Sequence, residues 1–316
     1  MRSILITASI LFSILASYSQ KDTSKIPFIA YWAKGDVYSF KVSKINQVWK
    51  QDSLTKNDTT QYLGRFEVID STDKTYKIKW SYQLELINTL VFQPELADRF
   101  SNYGDIEVIY LTNQNGEFTG IENWLEVSDY VKKIFTDIIE VLVNNGDTLI
   151  KQQLEQVFQP LMAGYSSKEG LERFILKELN LFHFPFGLEY TVADTLFYEE
   201  SLPNLFGGEP IKGDGMIYFE EVDFKNYYCI LVQEITLNEE DTRKLMIDAL
   251  TKMGLKGDDL VEEMKGSRID MRDYNFYEYY YDPGIPIYIE TIRTIHILSE
   301  KEKMKRIDKT IIEWMD

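Results

Sequence analysis

The residues with the clearest chemical potential are few. The chain holds two histidines, His183 and His296, and one cysteine, Cys229. Zinc hydrolases use two or three closely spaced histidines, often as HExxH, and no such spacing occurs here. His183 opens the aromatic corner His183-Phe184-Pro185-Phe186-Gly187, and His296 lies between Ile295 and Ile297, so both read as core or surface imidazoles. Cys229 sits in the apolar run Tyr227-Tyr228-Cys229-Ile230-Leu231-Val232 with no basic neighbour to lower its pKa, which makes it a small buried hydrophobe. Carboxylates cluster at Glu199-Glu200, at Glu220-Glu221 with Asp223, and at Glu239-Glu240-Asp241. A glycosidase needs two carboxyls facing each other across a cleft, one with a raised pKa. These runs fall at strand edges and a helix start, where solvated charge is the plainer account. Asn113-Gln114-Asn115-Gly116-Glu117 resembles a calcium loop, but its first ligand position would be Leu111, so a hairpin turn fits better. No GxxxxGK[ST], GxGxxG or GxSxG is present, and no cofactor is predicted.

The most unusual run is Tyr274-Asn275-Phe276-Tyr277-Glu278-Tyr279-Tyr280-Tyr281. In a strand, Tyr277, Tyr279 and Tyr281 share one face, while Tyr274, Phe276 and Tyr280 share the other. One face could form an aromatic wall for an apolar or sugar ligand. The competing reading is a strand between a helix layer and solvent, with its hydroxyls reaching water. Joined to the apolar stripes of the helical middle, this gives a candidate ligand-contacting set of Trp124, Ile138, Phe158, Phe174, Tyr277, Tyr279 and Tyr281. Core packing is the alternative for each of them.

These residues need a scaffold, and composition bounds it. The 316 residues include 44% hydrophobic and 14% aromatic side chains, enough for a packed core. A net charge of −17 argues against phosphate-backbone contacts, so nucleic acid is not an expected partner. Residues 1–19 read as a secretory signal: Arg2 supplies the positive end, 4–15 the apolar stretch, and Ser17 and Ser19 the small residues before cleavage. No cysteine follows, so there is no lipid-attachment box. No later window has the continuous apolar length of a membrane span. The expected location is periplasmic or secreted.

Residues 20–316 read as a single α+β domain, with strands over 36–121, helices over 123–183, strands over 188–237, a helix over 239–264 and strands over 267–315. Tyr76-Lys77-Ile78-Lys79-Trp80 alternates with period two, as a half-wet antiparallel strand should. Trp124, Val127, Val131, Ile134, Ile138 and Leu142 recur at three and four, a helix stripe that Asn123 can cap. Further helices are expected through Leu154, Phe158 and Leu161, and from Ser167 through Phe174 to Phe182. Grouped strands joined by hairpins exclude a parallel βαβ sheet. Each half also has the same sequence of long strands and a helical insertion.

The strand Gly35-Asp36-Val37-Tyr38-Ser39-Phe40, the hairpin into Phe118-Thr119-Gly120-Ile121-Glu122-Asn123 and the closing Gly284-Ile285-Pro286-Ile287 pair resemble secreted Gram-negative proteins of unassigned function. More distantly, the element order is similar to that of periplasmic lipoprotein carriers of the LolA type. That resemblance implies a long curved antiparallel sheet, half-barrel-like, with a helical insertion packed on its concave face. It transfers no functional residue. The function expected is a non-enzymatic envelope protein that binds a lipid or other apolar or amphipathic molecule between sheet and helices. The alternatives are a structural or interaction module with an envelope protein as partner, and a carboxylate-dependent hydrolase.

Overall fold

The computed structural model describes residues 24–82, 105–143, 162–174, 177–202, 209–252, 266–299 and 302–315. The expected helix through Phe158 lies outside them, as does everything after Lys252 in the helix expected to reach 264.

Among the described residues, eleven antiparallel strands form an open, curved sheet that does not close into a barrel. Its first half is a meander of β2 (Val37–Lys50), β3 (Ser53–Ser71), β4 (Thr75–Tyr82), β5 (Ile106–Asn113) and β6 (Phe118–Ile121). Its second half is a meander of β8 (Leu196–Leu202), β9 (Ile211–Asp223), β10 (Tyr228–Leu237), β11 (Arg268–Tyr280), β12 (Ile285–Leu298) and β13 (Lys303–Met315). The halves join where β13 pairs with β2, in register from Met304 opposite Lys50 to Met315 opposite Ser39. Register shifts in the β2–β3, β3–β4 and β11–β12 pairs insert bulges. Bulges bend a strand and raise its twist, and so help curl the sheet.

The concave face is filled by helices and by the chain's own beginning. Helix α1 (Trp124–Leu142) buries Val127, Val131, Ile134 and Ile138, as its periodicity predicts. Asn123 does not cap it. Its side chain accepts from the Ile109 N–H at 2.8 Å and donates to the Glu107 carbonyl at 2.9 Å, tying the helix start to β5 instead. Of the helix expected from Ser167 to Phe182, the described residues hold two helical stretches, α2 (Lys168–Phe174) and α3 (Lys177–His183), with the Ser167 hydroxyl accepting from the Gly170 N–H at 3.1 Å. Helix α4 (Glu239–Lys252) starts as expected at Asn238, whose side chain accepts from the N–H groups of Glu240 and Asp241, both at 3.0 Å.

Residues 26–32 precede the first long strand expected from sequence, yet they are core. β1 (Lys25–Pro27) pairs with β7 (Glu189–Thr191), and Ile26, Phe28, Ala30 and Trp32 are all buried. Phe28 meets Tyr190 and Tyr279 edge-on at 5.8 and 5.7 Å. Trp32 meets Phe66, Tyr76 and Phe186 at 5.1 to 5.3 Å and donates from its indole N–H to the Gly284 carbonyl at 3.0 Å. Residues 26–32 thus form an extended strap whose backbone bonds to turns from both halves of the sheet: the Ala30 N–H donates to the Asn115 carbonyl, and the Tyr31 N–H to the Pro283 carbonyl, each at 3.0 Å. Gly116, at φ 93°, lets the β5–β6 turn close over the strap, since a Cβ there would lie 2.8 Å from the Ala30 side chain.

Truncating a buried aromatic costs about 3–5 kcal/mol, whereas an exposed site usually stays within about 0.5 kcal/mol. Phe28→Ala is therefore expected to lower the urea midpoint sharply, while Phe197→Ala, at a side chain 74% exposed, leaves it nearly unchanged. Equal midpoints for the two variants would remove the strap from the core.

Candidate functional site

Inward-facing residues follow from register, because side chains opposite each other across antiparallel strands point to the same face. One transverse row reads Tyr62, Val42, Ile312, Ile289, Tyr277 and Leu231, all buried. The next row reads Thr60, Lys44, Thr310, Thr291, Asn275 and Gln233, and the one after it Asp58, Asn46, Asp308, Arg293 and Asp273. Beyond them the face turns apolar again: Ile235, Leu237, Met271 and Ile211 form a second buried cluster, with Ile295 and Leu245 of α4 packed against it. Two polar rows thus cross the concave face between two apolar regions.

A groove of about 1010 Å³ runs over this belt, with Leu181 of α3 on its border. Its floor is a hydrogen-bonded network. Asn275 donates to Gln233 at 2.7 Å, and Gln233 donates to the Tyr198 hydroxyl at 2.6 Å. Arg293 grips Asp273 through two parallel bonds of 2.7 and 2.6 Å. Asn46 donates to Asp308, which also receives Arg306 at 2.8 Å. At the border Lys44 pairs with the buried Glu178 of α3 at 2.9 Å and lies over the Tyr62 ring, 5.5 Å from its centroid. These pairs account for the charges that would otherwise be costly on a partly enclosed surface.

Of the residues that the sequence pattern puts forward, Tyr277 and Tyr279 lie on the concave face as expected, but inside the core. Tyr277 stacks on Phe184 at 5.2 Å, and the Tyr279 hydroxyl donates to the Phe182 carbonyl. Tyr281 is buried against Tyr227, Ile138 is buried on α1, and Trp124 is half-buried beside the same cluster. Phe158 and the Phe174 side chain lie outside the described residues. None of the placed members of that set lines the groove. Lys44, Asn46, Thr291, Arg293, Arg306 and Asp308 do, and sequence reasoning passed over them because charged and threonine positions in a strand read as solvent-facing. The signal that could have found them is the switch, within β2, β12 and β13, from apolar to polar on the inward-facing set.

The remaining chemical groups are structural. The His183 Nδ1–H donates to the Gly116 carbonyl, so Nε2 accepts from the Tyr110 hydroxyl; both contacts are 2.8 Å. Burial lowers its pKa from 6.5 to about 4, only partly opposed by the Gly116 bond. Burial pushes the Cys229 thiol up to about 12, which leaves it inert as a nucleophile. Glu278 has a raised pKa, from partial burial and then from the Glu221 charge, but it faces the convex side, away from the groove. In the groove, Asp308 is held by Arg306 and Asn46, and Asp273 by Arg293. Among the described residues no three His, Cys, Asp or Glu side chains gather as a metal site requires, and no helix is long and apolar enough to cross a membrane.

The fold and groove define an open-sheet α+β protein with a polar-belted concave surface. No family model matches the chain, and no curated protein matches it. Among solved structures, one of lipovitellin concerned with lipid–protein interactions aligns over 90% of this chain and 25% of that one, at 8% identity and a TM-score of 0.40. The chain therefore spans about a quarter of the length of that lipovitellin chain. Ail, the attachment invasion locus protein of Yersinia pestis, aligns over 90% of this chain and all of that one, at 5% identity and a TM-score of 0.16. Both are distant fold likenesses and carry no argument about activity.

A histidine buried neutral must give up its burial or take a proton at a cost as pH falls. His183 has the lowered folded pKa, so its stabilisation is complete above pH 6.5 and is lost as pH drops toward 4, by about 3 kcal/mol in all. Urea midpoints measured between pH 7 and pH 4 should show this slope, and His183→Gln should flatten it. An unchanged slope in the variant would assign the acid sensitivity elsewhere.

Proposed function

We propose that this chain is a cell-envelope binding protein that holds an amphipathic molecule along the concave groove, with no chemistry performed on it. The observation that carries this reading is the groove itself: about 1010 Å³ of open concave space lined mainly by polar side chains, with Leu181 of α3 on its border. Pockets for organic ligands fall mostly between about 300 and 1,000 Å³ and pair apolar walls with a few placed polar groups. A wholly apolar ligand would leave Thr291, Asn275 and Asn46 in contact with hydrocarbon, which is unfavourable. A wholly polar one would gain nothing from Leu181 at the border. The envelope location rests on residues 1–19 as a secretory signal.

A second reading, an interaction module, has one observation in its favour. Edge strand β8 pairs with β9 alone among the described strands and exposes Leu196 and Phe197. The two readings separate by experiment. Native mass spectrometry of the purified chain should show a bound adduct that organic solvent extracts, and Nile red should gain fluorescence on binding. Thr291→Trp, which fills the groove, should weaken dye uptake by about ten-fold or more, while Phe197→Ser should not. A clean apo mass with no dye uptake would overturn the groove reading in favour of the module.

A further inference from the structure

Three cation–carboxylate pairs lie in or beside the groove, and in each the carboxylate is the more buried partner. Glu178 exposes 7% of its side chain against 28% for Lys44. Asp273 exposes 10% against 43% for Arg293. Asp308 exposes 30% against 48% for Arg306. The acids form the wall, and the cationic heads stand between them and the open space. Each guanidinium carries five N–H donors, and the bidentate contact with Asp273 engages two of those on Arg293. Paired acids hold the arginines in place, which lowers the entropy lost when a further acceptor binds.

The two arginines are also close together. Arg293 lies opposite Asp308, and Arg306 is two residues from Asp308 on the same strand. From strand spacing and rise, their Cα atoms are about 8 Å apart, a span two arginine side chains close on one small anion. Arg306 lies opposite Ile295, which packs on the second apolar cluster beside Met271. An apolar side chain that lines the groove is that of Leu181, on the border formed by α3. The net charge of −17 repels anions at long range, but salt screens that repulsion beyond about 8 Å, and the acids next to the groove are matched by their partners.

We infer that the groove selects amphipathic ligands bearing an anionic head, carboxylate or phosphate, held by Arg293 and Arg306. This rests on the groove reading above and adds the class of ligand. The test uses the full chain and four probes with the same alkyl tail, dodecanoate, dodecyl phosphate, dodecyltrimethylammonium and dodecyl maltoside, each below its micelle concentration, with inorganic phosphate as a fifth. Calorimetric titration should rank the two anionic amphiphiles at least about ten-fold tighter than the other two. Arg306→Gln should remove most of that preference, and Arg306→Lys should keep part of it. Equal affinity for all four amphiphiles overturns the head-group inference and leaves the groove reading standing. No binding by any probe overturns both. Inorganic phosphate binding as tightly as dodecyl phosphate keeps the anion selection and overturns the amphipathic reading.

Discussion

An open sheet that curves must cover its concave face with something, and the structure follows from how that cover is built. Eleven strands present more inward apolar surface than the sheet can bury against itself, and exposed patches of that size are not stable in water. The cover is partly helical, from α1, α2 and α3, and partly the extended strap of residues 26–32. The strap buries alternate side chains against the sheet, while its backbone bonds to turns from both halves. Trp32 and His183 sit where these pieces meet, 5.9 Å apart between ring centroids. Burial holds an imidazole there neutral, and its two nitrogens find uncharged partners in the Gly116 carbonyl and the Tyr110 hydroxyl.

The cover leaves a band open. Where α3 ends its coverage and α4 has yet to begin, the inward positions of six adjacent strands change from apolar to polar. The change is sharp: on β2 Val42 gives way to Lys44 and Asn46, and on β13 Ile312 gives way to Thr310 and Asp308. A polar row on an inner face is tolerated only when its groups are paired, and here they are paired with one another across strands. The same pairing that makes the belt stable also fixes the direction in which its cations point.

Much of the fold was legible along the chain. The period-two pattern at Tyr76–Trp80, the three-and-four stripe of α1 and the grouping of strands around a helical middle all survive in the structure, because each reports a local choice of face. The strap was harder to read. Ile26, Phe28, Ala30 and Trp32 alternate as a strand does, but they follow a polar spacer and a predicted signal, and Pro27 weakens the pattern. Asn123 illustrates another limit: its type suits a helix cap, yet the nearby β5 backbone offers it better-placed partners. The site was least legible of all. Tyrosine-rich β11 attracted attention because its composition is unusual, whereas its inner tyrosines serve the core. The threonines and arginines of the groove look ordinary in each strand separately.

Sequence by itself determined the class of protein: alternation and helix stripes dictate which side chains each element buries, and acidic composition disfavours nucleic-acid partners. Only the tertiary structure decided where the open surface lies. Lys44, Arg293 and Arg306 are separated by up to 262 residues along the chain, and they become neighbours through the pairing of β13 with β2 and of β12 with β13. Local pattern records whether a residue faces in or out. It does not record which inward faces are later covered, because coverage depends on the packing of elements remote in sequence.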